Sequence, residues 1–156
     1  MTADDMTFTP PIRHSDAWRQ RDFYRFWTED KVRFADLDPM GHVNNNSYGV
    51  YVEGARVALL STVVPNFWAQ PVATVLKAIH IEYHRELLYP NMLDIGVRIV
   101  RMGGSSISTV VGIFTGDQKN YICHATALSI GVVVNREARQ PISIPDTFRD
   151  LFAPYQ

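Results

Sequence analysis

Hydrophobic residues recur along this chain with two different periods, and the change of period divides it. Between about Asn45 and Thr62, the positions Tyr48, Val52, Ala55, Leu59 and Val63 follow one another at spacings of three and four, the period of one helix face. Val50, Tyr51, Val57, Ala58 and Leu60 widen that stripe almost to the whole circumference, which predicts a buried helix. Only Glu53 and Arg56 carry charge in its body, and three apart they can pair along it. Gly49 and Gly54 weaken the helix by roughly 1 kcal/mol each against alanine, or mark a close approach. Pro65-Asn66 ends it.

Past residue 72 the period becomes two. Ile79, Ile81 and Tyr83 alternate with His80, Glu82 and His84 in a strand predicted over 72–85. Tyr89-Pro90-Asn91 turns the chain, and residues 92–101 alternate again, Leu93, Ile95, Val97 and Ile99 against Asp94, Gly96 and Arg98. Gly103-Gly104-Ser105-Ser106 reads as a connection. Residues 107–115 form the next strand, Thr115 to Asn120 a hairpin turn, and Tyr121 to Val134 a further strand. Ahead of the helix, Phe23 to Asp36 reads as one long strand with Val32 and Phe34 on one face. Near the end, Asp146 caps a short helix to Phe152. The order is strand, long helix, then four strands in antiparallel succession, which predicts an α+β fold. A helix apolar on nearly every side needs a wrapper, and a curved antiparallel sheet of about five strands supplies one. The open edges of such a sheet predict pairing between subunits. Residues 1–22 form an N-terminal extension, loose or draped on the surface over 1–15 and with Asp16 placed to cap a short helix, and 23–156 a single domain.

Composition narrows the function classes. Of 156 residues, 46% are apolar and 20% charged, which suits one globular domain with a real core. The net charge of −1 gives no basic bias toward nucleic acid. Residues 16–27 interleave basic and aromatic residues, but the run is short and the chain near neutral, so packing is expected. A single cysteine, Cys123, allows no internal disulfide and fits a reducing compartment. The first residues lack a secretory signal, and no apolar run is long enough to span a membrane. A cytoplasmic protein is expected.

The chemistry concentrates in Asp36-Leu37-Asp38-Pro39-Met40-Gly41-His42-Val43-Asn44-Asn45-Asn46. An acid is delivered through a Pro–Gly turn to the start of a long helix, where unpaired N–H groups point outward. Asp38 there is either a turn cap or a catalyst. Asn44 ties the turn through side-chain to backbone bonds. His42 either touches substrate or is a packed, hydrogen-bonded side chain. Tyr48 and Tyr51 read as core or pocket wall. His80, Glu82 and His84 share a strand face, but same-face residues lie ~7 Å apart, so the three reach one metal ion poorly and no metal is expected. Cys123 has no base near it in sequence and reads as a small buried residue.

The motif Asp-x-Asp-x-x-Gly-His-Val-Asn-Asn over residues 36–45, followed by Tyr48, Tyr51 and Glu53-x-Ala55-Arg56, resembles the hotdog-fold acyl-CoA thioesterases, in particular the group of 4-hydroxybenzoyl-CoA thioesterase. The likeness extends more loosely over about 25–135, including Ile81-Glu82-Tyr83 and Arg101-x-Gly-x-Ser105-Ser106. Gly49, Gly54, Glu86 and Pro90 depart from the pattern. The resemblance implies a helix wrapped by its sheet, in homodimers or homotetramers with active sites at the subunit interface. It implies hydrolysis of an acyl-CoA or acyl-carrier thioester to a free acid, with no cofactor besides the CoA of the substrate. Asp38 falls on the catalytic carboxylate, and the backbone N–H near Asn45 or Asn46 on the thioester carbonyl's donor. His42, Asn44, Asn46 and Tyr48 become substrate contacts, and Arg85, Ser105 and Ser106 candidate contacts for CoA. Glu53 is a reserve catalytic acid. The rival is a hotdog protein without catalysis that binds such thioesters as a sensor or assembly module.

Overall fold

The structure is a computed structural model that describes residues 14–156. Residues 1–13, most of the expected N-terminal extension, lie outside the described part. Five strands form one antiparallel sheet: β1 (Phe26–Lys31), β2 (Val72–Tyr83), β3 (Met92–Met102), β4 (Ser106–Gly116) and β5 (Tyr121–Asn135), in spatial order β1-β3-β4-β5-β2. Register shifts at Leu76/Ala78, Ile99/Arg101 and Ile113/Phe114 insert bulges, which bend the sheet into a trough. The long helix α1 (Asn45–Val63) lies in that trough against β1, β3 and β4. The short helix α2 (Asp146–Phe152) closes one end with buried Phe148 and Phe152; Pro145 is its cap residue, and Asp146, expected as the cap, stands inside the first turn and makes no capping bond among the described residues.

The main core fills the space between helix and sheet. Tyr48, Tyr51, Val52, Ala55, Leu59 and Val63 face Leu93, Ile95, Val97, Ile99, Val111 and Ile113. Burial of α1 within the protomer is one-sided. Val50 is 60% exposed, and a Cβ added at Gly49 or Gly54 would meet nothing within 4 Å. The expected close approach at these glycines is therefore not made inside the protomer. Among the described residues, Glu53 and Arg56 form no ion pair with each other.

The expected long strand over 23–36 is broken. β1 stops at Lys31, and Phe34–Asp36 is a single 3₁₀ turn, which leaves Val32 buried and Phe34 76% exposed. The cause is local: the Asp36 carboxylate accepts the Arg33 N–H at 2.8 Å, so the side chain competes with the sheet for the backbone.

A second, smaller core lies on the outer face. Tyr24 packs on Val110 and Phe114 among Trp18, Phe23, Trp27 and Tyr121. A Cβ at Gly96 or Gly112 would fall within 3 Å of the Tyr24 side chain, so these strand glycines are the floor on which the ring lies. Arg21 pairs with Asp94 at 2.9 Å and sits 4.2 Å from the Trp27 ring centre. The basic–aromatic stretch is packed against the sheet, as its sequence suggested.

Candidate active site

Local chemistry builds the turn after the 3₁₀ segment. Asp38, Pro39, Met40 and Gly41 occupy the four positions of a β-turn, with Pro second and Gly last. Gly41 donates to the Asp38 carbonyl at 3.0 Å and takes φ +86°, which a side chain would resist. The Asp38 N–H donates to His42 O at 2.8 Å, and Leu37 bridges Val43. One carboxylate oxygen of Asp38, Oδ1, accepts the Met40 N–H at 2.8 Å. The other, Oδ2, has His42 Nδ1 at 3.9 Å, while His42 Nε2 lies 3.5 Å from Glu86 Oε2. The imidazole thus stands between two carboxylates.

Asn44 then caps α1: its side-chain oxygen accepts the Asn46 N–H at 2.9 Å, and its carbonyl accepts the Ser47 N–H at 2.9 Å. The Asn45 N–H has no acceptor among the described groups. Of the two amides singled out in the sequence, Asn45 is therefore the one available to a ligand.

Asp36 anchors the turn from below. Its Oδ2 accepts both the Arg33 N–H and the hydroxyl of Tyr51, which is fully buried. Burial, with this bond and the nearby Asp36 charge, raises the Tyr51 pKa. Asp36 is thus engaged inward, whereas Asp38 faces an open cleft of about 330 Å³.

Asp38, His42, Asn45, Tyr48 and Arg85 meet in that cleft, joined by Tyr83, His84 and Glu86. The Tyr83 hydroxyl donates to the Asn45 carbonyl at 3.2 Å, and its ring meets Tyr48 edge-on at 5.0 Å. Burial pushes the Tyr48 hydroxyl up to about 12. Asn44 and Asn46 shape the cap rather than line the cleft. Ser105 and Ser106 lie elsewhere: Ser106 pairs with Val132, which pairs with Val75 near the start of β2. Tyr83, beside the cleft, ends that strand, and eight residues of strand span roughly 26 Å.

His80, Glu82 and His84 point to the outer face, as their alternation predicted, and join residues of the N-terminal segment. Arg19 donates to His84 Nδ1 at 2.8 Å, so His84 carries its proton on Nε2 and donates to Thr126 Oγ1 at 2.9 Å. The Thr126 hydroxyl then turns to His14 Nδ1 at 2.7 Å, and His14 Nε2–H donates to His80 Nδ1 at 2.8 Å. Among the described residues, no group of three or more His, Cys, Asp or Glu is placed to hold a metal ion. Burial pushes the Cys123 thiol up to about 12.

Sequence reasoning missed the far wall of the cleft. Tyr83 and Glu86 are brought there by the end of β2 and the segment after it, and buried His124 of β5 holds that segment from behind. The one signal in the sequence was a lone histidine among small residues, Cys123-His124-Ala125.

Several known proteins share this architecture. A thioesterase of Thermus thermophilus, solved in complex with coenzyme A and zinc, is 28% identical with a TM-score of 0.73, over 85% of this chain and 95% of that one. A protein of Pseudomonas aeruginosa is 25% identical with a TM-score of 0.80, over 88% and 96% of the two chains. The probable thioesterase YbaW of Escherichia coli is 25% identical with a TM-score of 0.70, over 83% and 97%. No curated protein sequence matches the chain. The sequence profile of the thioesterase-like superfamily matches residues 32–152, and the chain, with its long helix in a five-stranded antiparallel trough, belongs to that superfamily.

Proposed function

We propose that this thioester hydrolase is an acyl-CoA thioesterase in which Asp38 supplies the oxygen chemistry and the Asn45 amide holds the thioester carbonyl. The observation that carries the reading is the division of labour in the turn. Asp38 Oδ1 is tied to its own backbone, and Oδ2 is left toward the cleft that the Asn45 helix start also faces. A carbonyl oxygen on the Asn45 N–H gains a donor as negative charge develops, and such donors are typically worth about 3–4 kcal/mol. The carboxylate has two routes. Oδ2 attacks the carbonyl carbon and expels the CoA thiolate, leaving a mixed anhydride that water cleaves. Alternatively it removes a proton from the water that attacks. In both, the products are a free acid and CoA, and Asp38 returns as a carboxylate. Tyr48 and His42 flank the acyl side, and Arg85 offers a cation to CoA.

The reading includes a homodimer. The outer edge of β2 is unpaired within the protomer and exposes Val75, Leu76, Ile79 and Tyr83. Antiparallel pairing of two such edges about Ile79 sets the Val75 end of one copy beside the Tyr83 end of the other. That brings the Ser105-Ser106 end of one protomer toward the cleft of the second, which supports CoA contacts from both copies. The reading invokes no cofactor beyond the substrate's own CoA. Among the described residues no helix is long and apolar enough to cross a membrane, and the proposal places the protein in the cytoplasm.

The test is thiol release from short, long and aromatic acyl-CoAs and an acyl-carrier thioester, with wild type and Asp38→Asn. Turnover by wild type and a loss of about 10³-fold or more in kcat for Asp38→Asn, with CoA affinity kept, is expected. Tight binding without hydrolysis across the panel would instead favour the sensor, and an active Asp38→Asn enzyme would remove Asp38 from the chemistry.

A further inference from the structure

We propose that His124 is a positioning residue that sets the wall of the thioester cleft through the strip His84-Arg85-Glu86. The proposal rests on the functional reading above. β2 stops pairing at Tyr83, opposite Ala125, yet the next three residues all line the cleft. One residue of β5 takes hold of all three. The His124 carbonyl accepts both the His84 N–H at 2.8 Å and the Arg85 N–H at 3.2 Å. Its side chain reaches the Glu86 carbonyl at 2.9 Å through Nδ1.

A carbonyl only accepts, so Nδ1 must carry the proton. Nε2 lies 2.8 Å from the Thr115 hydroxyl, and in a neutral imidazole it accepts from that hydroxyl. Both ring nitrogens are thereby satisfied by one tautomer. The residue is 5% exposed, and burial lowers its pKa, opposed by the backbone of Glu86 and Arg85 and helped by the charge of Arg85. The His84 side chain is held further by Arg19 and Thr126, but the other ties of Arg85 and Glu86 are few: the Glu86 carboxylate lies 3.5 Å from His42 Nε2. Arg85 and Glu86 are exposed, and beyond them Leu87 is fully buried with its carbonyl taken by Val43 N–H at 2.8 Å. Without the His124 side chain, the backbone bonds of His84 and Arg85 to the His124 carbonyl remain, but the Glu86 carbonyl loses its partner and the wall is loosened between Arg85 and Leu87.

On the functional reading the wall meets CoA through Arg85 and leaves the chemistry to Asp38 and Asn45, so loosening it weakens substrate and transition state alike. That raises KM and leaves kcat. A histidine that merely fills space would be replaced by leucine with no such split.

The experiment compares His124→Leu, His124→Asn and Thr115→Val with wild type, reading kcat, KM and the Kd of CoA. The amide nitrogen of asparagine stands where Nδ1 stands, so it keeps the bond to Glu86. We expect His124→Leu to raise KM and the CoA Kd about tenfold with kcat within about twofold, and His124→Asn to restore both to within about twofold of wild type. Nitrogen-15 NMR is expected to find the proton on Nδ1 in wild type and in Thr115→Val alike, because the Glu86 carbonyl that fixes it is present in both. Leucine and asparagine variants that behave alike, or a wild-type proton on Nε2, would overturn the assignment. If His124→Leu does not fold, the asparagine variant, Thr115→Val and the tautomer decide it. Wild type without turnover strikes only the functional reading, since CoA affinity and tautomer still judge His124.

Discussion

Asp36 and Asp38 stand two residues apart in one motif, and the structure gives them opposite duties. Tyr51→Phe tests the division. It deletes one oxygen, the buried hydroxyl that donates to Asp36 Oδ2. A hydrogen bond to a charged acceptor is worth about 1.5–3 kcal/mol, and the carboxylate left behind keeps the Arg33 N–H and 17% of its side-chain exposure. Partial compensation puts the expected loss near 2 kcal/mol, a fall in Tm of roughly 4–8 °C for a chain of this size. Urea unfolding followed by circular dichroism reads it, at one protein concentration because an oligomer's stability depends on concentration. The Asp38 turn remains closed by its own bonds to Met40, Gly41 and His42, so kcat is expected to stay within about threefold. The double variant with Asp36→Asn should show coupling of about 0.5–3 kcal/mol. Unchanged stability beside a collapse in turnover would refute the reasoning and move the hydroxyl into the chemistry.

Two further outcomes follow from the outer face and the sheet edge. Burial lowers the pKa of both His14 and His84, with Glu82 acting the other way on each, His80 and His84 reinforcing the shift at His14, and Arg19 at His84. A lowered folded pKa means the neutral network stabilises fully above the unfolded value near 6.5 and is lost as pH falls through the folded values. The Trp18 and Gln20 amides, bonded to Ser15 and Ala17, should therefore exchange faster at about pH 5 than at about pH 7.5 after correction for intrinsic rates, and equal protection at both would show that the histidine network does not hold the N-terminal segment. Ile79→Glu places a charge at the centre of the unpaired β2 edge and should leave a folded monomer by sedimentation, whereas an oligomer like that of wild type would show that the edge is not the contact.

The sequence alone determined what neighbours along the chain decide. Period identifies α1 and β2 to β5 within a residue or two, because a buried stripe repeats every few positions. The Asp38 turn and the Asn44 cap are legible for the same reason: Pro, Gly and Asn act on backbone groups two or three residues away. The tertiary structure decided the rest. Asp36 breaks β1 and is held by Tyr51, fifteen positions on. The N-terminal residues from His14 are packed by Thr126, more than a hundred positions away. Glu86 and His124 meet only because the sheet sets β5 beside the end of β2, and the same register sends Ser105 and Ser106 to its far end. A one-residue slip in such pairing turns every side chain to the other face, and no local pattern records which pairing the folded sheet selects.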